Sequence, residues 1–327
     1  MSVKEKIKKL FEKRKELTVT EITNELLASK QMVHLVLKEL LADNFVQKIG
    51  RTPKTIYRHI DKAVKPKEDI PEIPAAQKEF LEQNFLLITE VGEMQTGAAG
   101  FKNWCDKRKL PFEKTIQEFL VTKQKYNAYL DKNGFISGLE KIKSTKGYNK
   151  IFLDELLYLD FYAIERFGKT KLGTILHFAK QGQNKMLMKM LIDAIKPKIG
   201  IIIKAYKIDA VAYVPPTIKR ETQLMKVMAS GLKITLPQVE IQKISGIIPV
   251  PQKSLNKIEE RIANAENTFS VKGIARYKNL LLIDDAVGSG STLNQIAGKI
   301  KAKNIAQTIV GLAIVGSFKG FDVITDV

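Results

Sequence analysis

The chain has 327 residues, enough for two or three domains, and its 44% hydrophobic and 27% charged residues exclude a disordered polymer. A single cysteine, Cys105, excludes an intramolecular disulfide framework and a Cys-rich zinc site. Lys and Arg outnumber Asp and Glu by 54 to 35, and the net charge of +19 favours a polyanionic partner or an anionic ligand. No apolar run reaches the ~18 residues that span a bilayer. Residues 1–16 (MSVKEKIKKLFEKRKE) hold no apolar signal core, so a cytoplasmic protein with no membrane partner is expected.

Residues 3–16 suit a first helix, with Val3, Ile7, Leu10 and Phe11 on one face. Thr20 is expected to cap a second helix, TEITNELL, with an acid in its positive first turn. Ser29 then caps KQMVHLVLKELLADN, where Val33, Leu37 and Leu40 point inward and Lys30, Gln31, His34 and Lys38 point outward. FVQKI, the turn GRTPK and TIYRHI read as a hairpin. No second metal ligand sits at i+4 from His34, so no metal site is expected there. Three helices followed by a basic hairpin resemble a winged helix-turn-helix, with GRTPKTIYR as its wing. The resemblance implies DNA binding: Lys30, Gln31, His34 and Lys38 would enter the major groove, and Arg51 and Lys54 would meet phosphate or the minor groove. Winged helices also serve as protein-interaction modules, but the net +6 of residues 1–60 favours DNA.

Residues 62–74 (KAVKPKEDIPEIP) carry three prolines and read as a linker. From Ala75 to about Lys198 the pattern is helical, as in FEKTIQEFLVTKQKYNAYL, with Phe112, Ile116, Phe119 and Leu120 at helical spacing, and in FLDELLYLDFYAIERF. The aromatic stripe Phe119, Tyr126 and Tyr129 reads as core. A homodimer contact is expected within 75–160. From Ile199 onward strands alternate with helices: NLLLIDD and TIVGLAIVGS flank the helical STLNQIAGKIKAKNI, a right-handed crossover in a mostly parallel sheet.

The sharpest motif is Leu280–Leu293, LLLIDDAVGSGSTL. A buried strand delivers Asp284 and Asp285 to its C-terminal end, and a loop of Gly, Ser and Thr then opens a helix. Such a loop gathers backbone amides and hydroxyls around a phosphate, with the helix N-terminus adding positive potential. It is neither a Walker A loop nor a GxGxxG turn. It resembles the phosphoribosyl pyrophosphate (PRPP) signature of type I phosphoribosyltransferases. That resemblance implies that Asp284, Asp285, Ala286, Val287, Gly288, Ser289, Gly290, Ser291 and Thr292 bind PRPP. Gly288–Thr292 would hold the 5′-phosphate and the two acids the ribose 2′- and 3′-hydroxyls, with Mg2+ carried on the pyrophosphate.

Three further stretches resemble the ComF branch of that family, over about 160–318. YAIERFGKTKLGTILHFAKQGQNKMLMKMLIDAI has a helix with a lysine and a polar-Gly turn, and AVAYVPPTIKRETQLMKVMASGLKI has a Val-Pro segment. PQKSLNKIEERIANAENTF carries Gln252, Leu255, Arg261, Asn264 and Phe269 in order. The likeness implies that Lys219 and Arg220 meet the pyrophosphate and that Lys253–Arg261 forms a mobile hood. The zinc ribbon usual in ComF proteins is impossible with one cysteine. No acceptor base is evident, and His177 reads as packing or capping its helix. The expected architecture is α/β: a winged helix-turn-helix at 1–61, a linker at 62–74, a helical segment at 75–160, and a ComF-like parallel sheet with helices on both faces at 161–327. The function implied is a PRPP- or nucleotide-binding, DNA-associated regulator or competence factor; winged-helix purine-operon repressors share the layout by analogy. The alternative is an active phosphoribosyltransferase.

Overall fold

The computed structural model describes residues 2–43, 45–51, 54–60, 70–216, 218, 220–244 and 255–318. It divides into two compact units, Met1–Ile70 and Pro71–Val327.

In the first unit, Ser2 and Glu5 exchange side-chain and backbone hydrogen bonds, and this capping box starts helix α1 (Val3–Lys13). Strand β1 (Glu16–Leu17) follows, so α1 stops short of the expected residue 16. A second capping box, Thr18 with Glu21, starts α2 (Val19–Leu26). Thr20 is therefore not the cap: Glu21 lies three residues after Thr18 and returns its hydrogen bond, which moves the start two residues earlier. Ser29 accepts from the Met32 amide and caps α3 (Lys30–Ala42) as expected. Strands β2 (Val46–Arg51) and β3 (Lys54–His59) form the hairpin, and β1 pairs with β3 to give a three-stranded antiparallel sheet, β1-β3-β2. Ile7, Phe11, Leu17, Ile22, Val33, Leu37, Leu40 and Val46 fill its core.

The second unit begins with α4 (Ala75–Asn84), the hairpin β4 (Leu86–Ile88) and β5 (Met94–Thr96), α5 (Gly97–Lys107) and α6 (Phe112–Asn127). Phe85, Phe101, Trp104 and Phe119 pack edge-on and stacked between them. Then come β6 (Ile136–Ser137), α7 (Leu139–Ser144), β7 (Glu155–Phe161), and the small pair β8 (Ala163–Ile164) and β9 (Gly168–Lys169). Helices α8 (Lys171–Gln181) and α9 (Lys185–Ala205) lead to β10 (Ala210–Tyr213), α10 (Leu224–Leu232) and β11 (Gln238–Lys243). The chain continues through α11 (Ile258–Thr268), β12 (Phe269–Lys272), β13 (Tyr277–Val287), α12 (Ser291–Ala302) and β14 (Ala306–Gly316).

Seven described strands form one sheet in the order β12-β11-β10-β13-β14-β7-β6. The five inner strands are parallel, and the two edge strands run antiparallel to their neighbours. This is a mixed α/β fold with a mostly parallel central sheet. Leu281 and Ile283 share one core with Leu176, Leu191, Ile195 and Met228 from α8, α9 and α10. Their alternate neighbours Leu280 and Leu282 are equally buried, so both faces of β13 are covered.

Residues 75–160 are thus not a helical segment of their own. FLDELLYLDFYAIERF, expected to be helical, contains β7, which pairs parallel to β14. A strand buried on both faces reads as a continuous apolar run, and such a run matches helical spacing as readily as strand spacing. The helix expected from FEKTIQEFLVTKQKYNAYL forms as α6. In its stripe Phe119 and Tyr126 are core, whereas Tyr129 is 48% exposed.

Candidate functional site

Chain direction locates the site before any side chain is considered. From β10 the chain passes through α10 to β11 on one side, and from β13 through α12 to β14 on the other. Because β10 and β13 are neighbours, the crevice beyond their C-terminal ends is a topological switch point, where open α/β sheets bind ligands.

Asp284 and Asp285 stand at this edge, just past the Tyr213–Ile283 pairing. The pleat places Asp285 in phase with Leu281 and Ile283, toward α8, and Asp284 in phase with Leu280 and Leu282, toward the opposite face. Lys180, in the last turn of α8, places its Nζ 2.5 Å from Asp285 Oδ2. The Asp285 amide donates to Asp284 Oδ1 at 2.8 Å. Burial and the adjacent Asp285 carboxylate raise the Asp284 carboxyl to about 7, against smaller opposing effects of Lys180 and the Asp285 amide. Two adjacent acids served by one lysine leave one carboxylate's worth of capacity for donors from outside.

After Val287 the chain turns through Gly288–Gly290 into α12. Gly290 has φ +84°, a left-handed conformation open to glycine at little cost, and a Cβ there would overlap the Ile142 side chain of α7. The Gly288, Ser289 and Gly290 amides donate to no acceptor among the described residues. They stand beside the positive end of a 12-residue helix. The Ser289 and Ser291 hydroxyls lie 3.0 Å apart, both buried. Thr292 and Ala286 are half-buried.

A wall formed by residues 138–153 supports this loop. The Tyr148 hydroxyl donates to the Ser289 carbonyl at 2.9 Å, and burial pushes its pKa up. Asn294, fully buried on α12, accepts from the Phe152 amide at 2.7 Å and donates to the Lys150 carbonyl at 3.0 Å. Lys141 donates to the carbonyl and hydroxyl of Ser317, at 2.8 and 2.5 Å, and burial lowers its pKa to about 8. The Ser317 amide in turn donates to Val287, at the start of the loop.

The nine residues of the expected PRPP loop, Asp284–Thr292, are contiguous at the crevice. Lys219 lies outside the described residues, as do residues 253 and 254 of the expected hood; of the rest, Ile258–Arg261 open α11, and Arg261 Nε donates to the Leu255 carbonyl at 2.7 Å. The two terminal nitrogens of Arg220 donate to the Lys180 carbonyl at 2.5 Å and to Gln181 Oε1 at 2.7 Å. His177 packs, with Nδ1 2.9 Å from the Tyr162 hydroxyl. Lys180 is the residue whose role the sequence did not single out. Its only signal was its place in the last turn of a helix before a polar-Gly turn.

In the first unit, Lys30, Gln31, His34 and Lys38 are exposed on α3. Lys4, Arg14 and Arg58 are paired with acids, whereas Lys30 and Lys38 meet none among the described residues. A groove of about 570 Å³ is lined by Thr18, Lys30, His34, Gly50, Thr55 and Tyr57, among others. Arg51 and Lys54 are backbone partners at the hairpin end. Among the described residues no cluster of three or more His, Cys, Asp or Glu could hold a metal ion, and no helix is long and apolar enough to cross a membrane.

No protein-family model and no curated protein matches the chain. Among solved structures it is similar to adenine phosphoribosyltransferase from Saccharomyces cerevisiae complexed with an imino-altritol bisphosphate and adenine. That match has 17% identity and a TM-score of 0.28, over 41% of this chain and 71% of that one. It is also similar to a hypoxanthine phosphoribosyltransferase from Staphylococcus aureus, at 14% identity and a TM-score of 0.26, over 41% and 80% of the two chains. A hypothetical protein from Neisseria gonorrhoeae with bound ppGpp matches at 15% identity and a TM-score of 0.26, over 42% and 71%. At these TM-scores none of the three assigns the fold, and the chemistry stands on the crevice itself.

Proposed function

We propose that the second unit binds PRPP, or a phosphorylated nucleotide of similar outline, as a ComF-like type I phosphoribosyltransferase domain. The first unit, in this reading, is a winged helix-turn-helix that attaches the protein to DNA. The carrying observation is the Asp284–Asp285 pair at the switch point, running directly into the amide-lined turn of Gly288–Gly290. The 5′-phosphate accepts from the Gly288–Thr292 amides and hydroxyls, and the two acids accept from the ribose hydroxyls. Mg2+ arrives as the counter-ion of the pyrophosphate and is part of the ligand. Calorimetric titration of PRPP with Mg2+ tests this against an Asp284→Asn, Asp285→Asn variant. Losing two charge-assisted hydrogen bonds, at roughly 1.5 kcal/mol or more each, weakens binding about 100-fold. Equal affinity, or no binding to wild type, overturns the reading.

For DNA, the support is the unpaired basic face of α3, with Lys30, Gln31, His34 and Lys38, beside the groove that Lys30 and His34 line. Arg51→Glu with Lys54→Glu should weaken duplex binding and flatten its salt dependence, because fewer counterions are released. Unchanged affinity refutes the assignment.

One feature favours the alternative of a working transferase. Phe318, just after β14, packs its ring on Tyr126, Tyr129 and Phe161, an aromatic wall at the same strand ends. Transfer would break the C1–O bond to pyrophosphate, which leaves with the electron pair as the acceptor's lone pair bonds C1. Release of pyrophosphate with any member of a panel of bases decides for this alternative. Bound PRPP without release decides for the regulator.

A further inference from the structure

We infer that Lys180, on α8, is the cation that meets the pyrophosphate group, and that Arg220 is a positioning residue that holds Lys180 at the crevice. The inference rests on the PRPP reading above and names a residue outside the signature loop. Four observations converge on it.

First, Lys180 Nζ is already at the crevice, 2.5 Å from Asp285 Oδ2, with its side chain 25% exposed. An ammonium on a flexible four-carbon stem carries three donors that rotate freely. One can remain on Asp285 while the others turn to an incoming anion. Second, the two terminal nitrogens of Arg220 donate to the Lys180 carbonyl and to Gln181 Oε1. This guanidinium therefore caps the C-terminal end of α8, where backbone carbonyls lack partners and cations are favoured.

Third, the next residues extend the same seam. The Thr222 amide donates to Gln183 Oε1 at 2.8 Å, and Gln223 Nε2 donates to the Ile218 and Arg220 carbonyls at 3.1 and 3.3 Å. The loop after β10 and the end of α8 are joined by side-chain bonds from both partners, so a shift of one carries the other. Fourth, the pleat directs Asp285 to the α8 side, and the expected pyrophosphate loop leaves the sheet from β10, next to β13. A ligand with hydroxyls on the acids and a diphosphate toward β10 meets Lys180 first.

The experiment uses the full chain and two probes, ribose 5-phosphate and magnesium pyrophosphate, each titrated calorimetrically. Lys180→Gln should weaken pyrophosphate binding at least 10-fold and leave ribose 5-phosphate within about 3-fold, since the phosphate loop is intact. Lys180→Arg should restore most of the pyrophosphate affinity, which a folding defect would not allow. Arg220→Gln should weaken pyrophosphate binding too, but its effect should vanish in the Lys180→Gln background, because it acts through Lys180. Additive losses would make Arg220 a direct ligand and overturn the assignment. Wild type that binds ribose 5-phosphate, with Lys180→Gln equal to it on pyrophosphate, overturns this inference alone. Wild type that binds neither probe overturns the PRPP reading and this inference together.

Discussion

Asp284→Asn is expected to stabilise the second unit at about pH 8, by an amount that disappears in acid. The Asp284 carboxyl is raised from its ordinary 3.8 to about 7 by burial and by the Asp285 charge. A folded value above the unfolded one means that the folded chain keeps its proton longer. Stability is therefore complete below about pH 3.8, falls as pH rises toward about 7, and stays reduced beyond it. At 1.36 kcal/mol per pH unit this span sets a ceiling of about 4 kcal/mol. Asp284 as a residue is half-buried, and discounting for screening brings the expected gain to about 2 kcal/mol. Asparagine keeps the Oδ1 that accepts from the Asp285 amide and removes only the charge. Urea unfolding can be followed through Trp104, the single tryptophan of the chain, which lies in the second unit. A variant less stable than wild type at about pH 8, or a difference equally large at about pH 4, refutes the reasoning. The first outcome would mean that the carboxylate is held by partners strong enough to outweigh its burial.

Three other substitutions probe the frame around the acids. Gly290→Ala forces a side chain into φ +84° and against Ile142, and should cost about 2–4 kcal/mol in denaturant unfolding; in the Ile142→Ala background that cost should shrink. Asn294→Ala removes the bonds to Lys150 and Phe152 and leaves their partly buried backbone groups without that partner, an expected loss of about 1–3 kcal/mol, again read by unfolding. Tyr158 is 2% exposed, and its hydroxyl has no partner among the described residues, so Tyr158→Phe should be neutral or stabilising by about 1 kcal/mol in a thermal melt.

The strand and loop of the candidate site were legible because each signal there agrees with the next. The apolar run Leu280–Ile283, closed by two acids and a Gly-Ser-Thr turn, has the length and the flanking turn of a strand, and these separate it from a helix. β7 lacks that boundary: Leu156–Leu159 is also apolar at every position, but no glycine closes the run before Gly168, so its period and length stay open. A basic residue after a strand of this kind has the option of facing a ligand, which is what the sequence around Arg220 suggests. Whether it turns outward or back onto α8 depends on the Lys180 carbonyl, 40 residues earlier, and no local pattern encodes that. The same distance hid Lys180, whose ion pair with Asp285 exists only once the sheet has brought α8 over β13.

An acidic pair here is expensive, and a sheet needs neither member: Leu280–Ile283 show that β13 is built from apolar residues wherever packing alone decides. What the pair adds is direction. Successive residues of a strand face opposite sides, so one dipeptide presents a carboxylate toward the α12 side and another toward the α8 side. On the first side lie the amides of Gly288–Gly290, which meet no acceptor among the described residues, and on the second lies the Lys180 ammonium. A ligand matching all of these has anionic groups at both ends and hydroxyls between them, which is the layout of a sugar phosphorylated twice. A monophosphate satisfies only one side, which is why ribose 5-phosphate and pyrophosphate separate the two halves of the crevice.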